Sequence, residues 1–532
     1  MPGNVADAIL RMLAQTGVKS IYGISGDAIF PLLDAIPRQE AIKYYSPAHE
    51  NGAAFMASYE AKLTGRLAVC TATSGPGTVN LLNGLADAFF DKAPVLAING
   101  QVDTKKIGTN TKQYFKQLSV TENFSLFSEM VVSPQALVPV LAAAIETAVN
   151  SGTVAHVSVP RDVFLMPTEV TEKPVVKGKN QIWGNGFAEM LETTVELLNS
   201  KTKPVILMGV KGEANGRAVC ELAEKLGAAI VIAQQVMGVI SYNKVRVIGG
   251  IGEGYSPEML NQADCILIIG EAPYELSFLP ESVPVIQITD KTANLHFGVI
   301  RYGIIGAPAL VVKALEKRTA RRSCDGRWSE MVAEERQIRR ELINQDGNIA
   351  CTPIHPARVI AELNRFAAED AIITLDIGSL IHWFERGFLA SKQTVLLSSH
   401  WRSMGSGLPA AAAAKIAMPE KQVLALVGDG GLLMSMGEFL TAVRYNLPIT
   451  VIVFRNGKYN LEKYKMLGQG MNPFGSEIPG LDYAGYAEAC GAKGFRINDP
   501  EQLATVLPQA LNCQVPAIVD IVTADVPLAS VK

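Results

Sequence analysis

Residues 423–460 read VLALVGDGGLLMSMGEFLTAVRYNLPITVIVFRNGKYN. VLALV is a short apolar run, and PITVIVF (448–454) is another, with a helix-length stretch between them. Two buried strands joined by a helix make a β–α–β unit, in which the strands lie parallel and both sheet faces are covered. The first strand is expected to end at Val427, and the helix to begin within a few residues of Gly430. Asp429 falls in the turn, wedged between Gly428 and the pair Gly430–Gly431, and Asn456 closes the second strand.

The same grammar runs along the chain. RLAVCTA (66–72), APVLAIN (93–99), AHVSVP (155–160), KPVILMG (203–209), AAIVIA (228–233), DCILIIG (264–270), PVIQIT (284–289) and AIITLD (371–376) also read as buried strands separated by helical patterns. They predict an α/β fold of parallel sheets flanked by helices. At 532 residues the chain exceeds one core, and about three domains are expected. PTEVTEKPVVKGKNQ (167–181) and EKRTARRSCDGRW (316–328) read as linkers. The first and third blocks share a layout: residues 65–100 and 421–457 each run strand, glycine turn, helix, proline, strand, Asn-Gly. A duplication would account for it.

Composition narrows the function. The chain is 48% hydrophobic and 19% charged, as globular domains are. A net charge of −3 without a basic tract argues against a nucleic-acid partner. No apolar run reaches the ~18 residues of a membrane span. The start, MPGNVADAILRMLAQTGV, reads as an amphipathic helix and not as a signal peptide. The seven cysteines (70, 220, 265, 324, 351, 490, 513) are scattered with no Cys-x-x-Cys. That pattern predicts a reducing cytoplasm, with most of them small core residues.

The opening loop has a chemical meaning. Ligands of open α/β sheets bind at the carboxyl ends of strands, and glycines let backbone approach a phosphate. The loop lacks the Gly-Lys-Ser/Thr of a P-loop, and Asp429 would repel a bare phosphate. A divalent cation between them removes the conflict. Asp429 and Asn456, at neighbouring strand ends, are hard oxygen ligands suited to Mg²⁺ or Ca²⁺. Each alone has an ordinary explanation, a helix cap or an Asn-Gly turn. The pair at this spacing favours the metal.

Gly428-Asp429-Gly430 followed by Asn456 resembles the signature of thiamine diphosphate-dependent enzymes. The resemblance implies Mg²⁺ held by Asp429, Asn456 and the backbone carbonyl of Lys458. Arg455 stands where the family usually has a first Asn. SPAHENGAAFMASYEAKLTG (46–65) is similar to the family's glutamate motif, which makes Glu50 the partner of the aminopyrimidine N1′ and the starter of catalysis, with His49 beside it. Burial would keep such a carboxyl partly protonated near neutral pH. YGISGDAIFPLLDAI (22–36) resembles the first strand and loop, with Gly26 and Asp27 on the substrate side. SGPGTVNLLNGLADA (74–88), containing Gly75, resembles the loop beside the pyrimidine. LDIGS (375–379), with Gly378 and Ser379, and SMGSGLPAA (403–411) resemble the diphosphate-side loops, and Met404 takes the place of the wedge under the cofactor.

The resemblance spans nearly the whole chain. It implies a pyrimidine-binding domain (1–166), a middle Rossmann-like domain (182–316) and a diphosphate- and Mg²⁺-binding domain (345–532). It also implies a homodimer or homotetramer in which Glu50 of one subunit meets Asp429 of another. The branch it resembles most is pyruvate oxidase, with acetolactate synthase next. LDYAGYAEACGAKGFRI (481–497) and the closing DVPLASVK (525–532) favour the oxidases. The shared chemistry is attack on a small 2-oxo acid, best pyruvate, and loss of CO₂. The hydroxyethyl intermediate then passes electrons to flavin, attacks a second carbonyl, or takes a proton.

Three departures keep FAD and the oxidative step open. GTNTKQYFKQ (108–117) carries Lys112 where the branch has Phe before Gln113. IQITDKTANL (286–295) has Thr289 and Lys291 at the places of two acids near the flavin, although VIGGIGEG (247–254) is a glycine-rich loop able to admit a nucleotide phosphate. NGKYNLEKYKM (456–466) puts Leu461 and Glu462 after the metal ligand. A glutamate there resembles the non-oxidative decarboxylases, and either handles a proton over the cofactor or points outward from its helix. A catalytically silent regulatory subunit would have lost Glu50, Asp429 or Asn456, and all three are present. A nucleotide-dependent dehydrogenase would need a clean Gly-x-Gly-x-x-Gly with an acid ~20 residues on. The membrane-binding tail of some oxidases is expected to be absent.

Overall fold

A computed structural model describes residues 3–168, 186–210, 216–271, 279–291, 294–295, 300–321 and 326–529. Residues 169–185, most of the first expected linker, lie outside the described residues, as do 322–325 of the second and 530–532 of the closing segment.

The apolar runs form three six-stranded parallel sheets. The first contains β1 (Ser20–Gly23), β2 (Lys43–Tyr45), β3 (Ala68–Ala72), β4 (Val95–Gln101), β5 (Phe127–Met130) and β6 (Val154–Pro160). The middle one contains β7 (Pro204–Met208), β8 (Ala229–Ala233), β9 (Val247–Ile251), β10 (Cys265–Ile269), β11 (Val285–Thr289) and β12 (Ile300–Ile305). The third contains β13 (Ile372–Leu375), β14 (Thr394–Leu397), β15 (Val423–Gly428), β16 (Thr450–Arg455), β17 (Lys493–Ile497) and β18 (Ala517–Val522). The first sheet runs β2-β1-β3-β4-β6-β5 and the third β14-β13-β15-β16-β18-β17. Strand for strand these are the same order, so the shared sequence layout extends to whole-sheet topology. The middle sheet, β12-β11-β10-β7-β8-β9, is wound differently.

Two largely buried helices join the first and third sheets. Gly52 to Ala61 are buried without a break in the Glu50–Thr64 helix, as are Gly407 to Lys415 in the Gly407–Ala417 helix. A helix buried on every side needs packing partners on every side, and Ala53, Ala54 and Ala57 share a core cluster with Ala410 to Ala414. Small side chains let these helices approach closely. Gly84 does the same from the Pro76–Phe90 helix: a Cβ there would stand 2.6 Å from the Phe55 amide nitrogen.

Six cysteines are described and all are free thiols. Cys70 and Cys265 are buried; Cys220, Cys351, Cys490 and Cys513 are half-buried, so most are not the core residues expected. Among the described residues no helix is long and apolar enough to cross a membrane.

Candidate active site

β15 and β16 are neighbours with Gly428 opposite Phe454. That register brings the residues just beyond each strand end together, Asp429 on one side and Asn456 on the other. Asp429 turns its buried carboxylate back across the strand ends. Oδ2 accepts from the backbone N–H groups of Asn456 (3.1 Å) and Gly457 (2.7 Å), and Oδ1 from that of Gly430 (3.0 Å). Burial still pushes its pKa above the ordinary carboxylate value, against those three donors. Asn456 Oδ1 accepts from the Lys458 amide at 3.1 Å, an Asx turn that holds its side chain. The chain can turn there because Gly457 adopts φ +71°.

These groups open onto a cleft of about 250 Å³. Gly378, Ser379, Met404, Gly428, Gly430, Gly431, Asn456, Lys458 and Glu462 all line it with Asp429. The fit to a metal–diphosphate group rests on two observations. Among the described residues no ion pair is recorded for Asp429, so its buried charge faces the cleft without a protein cation. Gly428 and Gly378 have no atom within 4 Å of where a Cβ would stand, leaving bare backbone and open space. A carboxylate, an amide oxygen and a carbonyl are the donors a hard divalent cation takes. The Lys458 ammonium is turned away to Asp525 at 3.2 Å, so only its carbonyl is a candidate ligand.

Three family models match in order: the thiamine pyrophosphate enzyme N-terminal TPP binding domain (residues 3–120), the central domain (191–315) and the C-terminal TPP binding domain (376–521). The chain belongs to the thiamine pyrophosphate enzyme family. It is 34% identical to the putative thiamine pyrophosphate-containing protein YdaP of Bacillus subtilis (strain 168), over 98% of this chain and 92% of that one. It is 27% identical to a pyruvate oxidase of Lactiplantibacillus plantarum, over 99% and 89% of the two chains. It is 28% identical to an acetolactate synthase of Bacillus subtilis (strain 168), over 97% and 92%.

The other expected family residues gather at a separate place, the carboxyl ends of β1 and β3. Glu50, half-buried at the start of its helix, accepts from Asn80 Nδ2 at 3.0 Å. Its Oε1 lies 3.3 Å from where a Cβ on Gly77 would be. Thr73 fills the space beside Gly26, and Gln113, at φ +65°, packs on Gly75. Asp27 is exposed and paired with Arg161 at 2.9 Å. None of Gly26, Asp27, Glu50, Gly75 or Gln113 lines the cleft of its own chain. The expected family residues thus fall into two separate groups on one chain. Glu462 lies at the cleft but its side chain is 64% exposed, 3.5 Å from Lys465.

The glycine-rich 247–254 segment is packed closely against other parts of the chain. Its first part is β9, and the space beside its glycines is already filled: Gly249 by Arg339 and Tyr255, Gly252 by the Glu385 carboxylate, Gly254 by the His382 carbonyl. Glu385 Oε2 also accepts the Gly254 N–H at 2.7 Å. Gly252 and Gly254 let the middle domain press on the Leu380–Gly387 helix. Thr289 is fully buried, and Lys291 donates to the Asn150 carbonyl at 2.7 Å. Residues 211–215, 272–278 and 296–299 lie outside the described residues.

Sequence reasoning missed three acids. Glu438, buried, accepts from the backbone N–H groups of Ala48 (3.0 Å) and His49 (3.1 Å), so the third domain caps the helix that carries Glu50. Glu253 sits on the cleft wall between Arg402 and His382, which hold its carboxyl down at about 2. Asp376 ends β13 beneath the cleft and accepts from the N–H groups of Ile377 (2.7 Å), Gly405 (2.9 Å) and Gly407 (3.3 Å), tying the two diphosphate-side loops together. Asp376 had a visible cue, the acid of LDIGS; the partners of the other two are distant in sequence.

Asp376 gives a pH prediction. Burial raises its pKa from 3.8 to about 6. The folded chain therefore holds this proton more tightly than the unfolded chain, and stability falls as pH rises between those values. Two units correspond to roughly 3 kcal/mol. In cofactor-free protein, the stability of wild type relative to Asp376→Asn is expected to fall from about pH 4 to about pH 6 and stay level above. Urea melts across that range measure it; a pH-independent difference would contradict the assignment.

Proposed function

We propose that this chain decarboxylates a small 2-oxo acid, pyruvate first among candidates, with thiamine diphosphate held through Mg²⁺ by Asp429, Asn456 and the Lys458 carbonyl. The observation that carries the reading is Asp429: a buried carboxylate with no recorded ion pair among the described residues, beside Asn456, on a cleft edged by bare glycine backbone. Bound there, the cofactor would supply a carbon nucleophile for the 2-oxo group and a sink for the electron pair that loss of CO₂ leaves behind. Glu50, from the neighbouring subunit, holds and moves the proton at N1′. Met404 bears on the cofactor from the cleft wall, and Glu462 exchanges a proton with the substrate at the mouth.

The two-carbon unit left after CO₂ loss has two supported fates. Kinship with pyruvate oxidase supports oxidation through FAD. The filled 247–254 loop supports the second reading, transfer to a carbonyl acceptor without flavin. The test is the visible spectrum of protein purified with thiamine diphosphate and Mg²⁺, taken before and after anaerobic pyruvate, with CO₂ measured in parallel. A flavin band that bleaches establishes oxidation. CO₂ release without a bleaching band establishes transfer or simple protonation. No CO₂ and no bleaching would sink the pyruvate reading.

A further inference from the structure

The cleft wall opposite the metal ligands in sequence carries a cation that the proposed decarboxylation does not use. Arg402 lies two residues before Met404, in the loop between β14 and the Gly407–Ala417 helix. Arg402 lines the cleft that Asp429 lines, and its side chain is 26% exposed. Nη2 stands 2.9 Å from Glu253 Oε2, and the same oxygen stands 3.2 Å from His382 Nε2. Glu253 comes from the middle domain and also lines the cleft. So one carboxylate of another domain fixes Arg402 against the wall. The backbone there has φ +56°, a left-handed conformation that suits glycine and that arginine adopts at a cost.

The other lining cations are paired as well. Lys458 turns to Asp525 at 3.2 Å, and Lys465 to Glu462 at 3.5 Å with half its side chain in solvent. Arg402 differs in kind as well as place. Its planar fork matches a carboxylate, sulfonate or phosphonate in a bidentate way that an ammonium does not.

The departing carboxylate of the 2-oxo acid is a poor partner for it. That group loses its charge as CO₂ leaves, so a cation gripping it would stabilise the ground state more than the transition state and slow the reaction. A fixed guanidinium is useful on an anion that keeps its charge throughout. We infer that Arg402 is a specificity residue that holds a second, retained anionic group, carried either at the far end of the 2-oxo acid or by the carbonyl acceptor. The inference rests on the decarboxylase reading. In the first case the acid loses CO₂ and the carbon that held it takes a proton, giving an acidic aldehyde. In the second that carbon bonds to the acceptor's carbonyl carbon, and the acceptor's oxygen takes the proton.

The experiment compares holoenzyme with Arg402→Gly and Arg402→Lys in two arms. Glycine suits the backbone angle, so the loop keeps its shape, and lysine keeps the charge without the fork. The donor arm measures CO₂ release from 2-oxoglutarate and from 2-oxobutyrate. The acceptor arm measures ligation of pyruvate to 2-oxobutyrate and to propanal. Wild type is expected to prefer the anionic member in one arm, which identifies the source of the anion. R402G is expected to lower that kcat/KM ratio at least about tenfold, with R402K in between. A mere latch between domains would lower both members alike, and that result overturns the inference, as does a wild type with no anionic preference in either arm. If no 2-oxo acid is consumed at all, the decarboxylase reading fails on its own. Arg402 is then decided by melting: 2-oxoglutarate is expected to raise the wild-type Tm more than 2-oxobutyrate does, and R402G to lose that difference; equal shifts in wild type and R402G overturn it.

Discussion

Glu50→Gln is expected to cut kcat by about 10²–10⁴-fold while leaving the fold intact. Glutamine keeps the volume that Gly77 leaves open and still offers an oxygen to Asn80 Nδ2, now 3.0 Å from the carboxylate. It cannot take or give the proton that the role at N1′ requires. Far-ultraviolet circular dichroism should be unchanged. The sharper part concerns where Glu50 works. It does not line the cleft of its own chain, so its partner Asp429 is expected on a second copy. Glu50→Gln and Asp429→Asn subunits, each silent alone, should then regain activity when co-assembled. In a two-fold dimer one cleft of each hybrid has both wild-type residues, and random pairing restores about a quarter of wild-type turnover. No recovery in verified hybrids would mean that each chain completes its own site.

What the sequence disclosed follows burial. The ten apolar runs all became strands, every one of them with sheet neighbours on both sides. The six edge strands, β2, β5, β9, β12, β14 and β17, were not among them. An edge strand faces solvent or loops along one side, and its sequence shows it: KYY of β2 and FSEM of β5 are half-exposed, and KGFRI of β17 carries two charges. β9 was hidden for another reason. Its two glycines, Gly249 against Arg339 and Tyr255 and Gly250 against Tyr242, gave VIGGIGEG the look of a ligand loop.

The meeting of Asp429 and Asn456 was legible because adjacent strand ends in a β–α–β unit must meet, which makes their spacing a geometric statement. Glu438, Glu253 and Arg402 were not, because each gains its meaning from a partner far along the chain: Glu438 from Ala48 and His49, Glu253 from His382 and Arg402. Long-range pairs of this kind leave no periodicity to read. Gln113 and Asp27 were chosen by resemblance; Gln113 packs on Gly75, and Asp27 is paired with Arg161.

Asp429→Asn is expected to remove the stabilisation that Mg²⁺ and thiamine diphosphate give together. A ligand at a hundred times its Kd adds about 2.7 kcal/mol to the stability of the state that binds it. In wild type that gain should appear as a higher Tm on adding both, and vanish on adding a chelator. Asparagine at 429 keeps an oxygen near the Gly457 N–H, 2.7 Å from the carboxylate, but supplies no charge. It leaves the diphosphate without a firmly held counter-cation, so the gain and the turnover should both be lost. Asn456→Ala removes a neutral ligand and leaves the charge, and should cost less, with excess Mg²⁺ restoring part of the shift. The order matters more than either size: charge loss at 429 must exceed ligand loss at 456 if a divalent cation sits between them and the diphosphate. Were Asp429→Asn to melt as far above its cofactor-free form as wild type does, the metal would not lie at Asp429, and the reading of the cleft built on that carboxylate would fail with it.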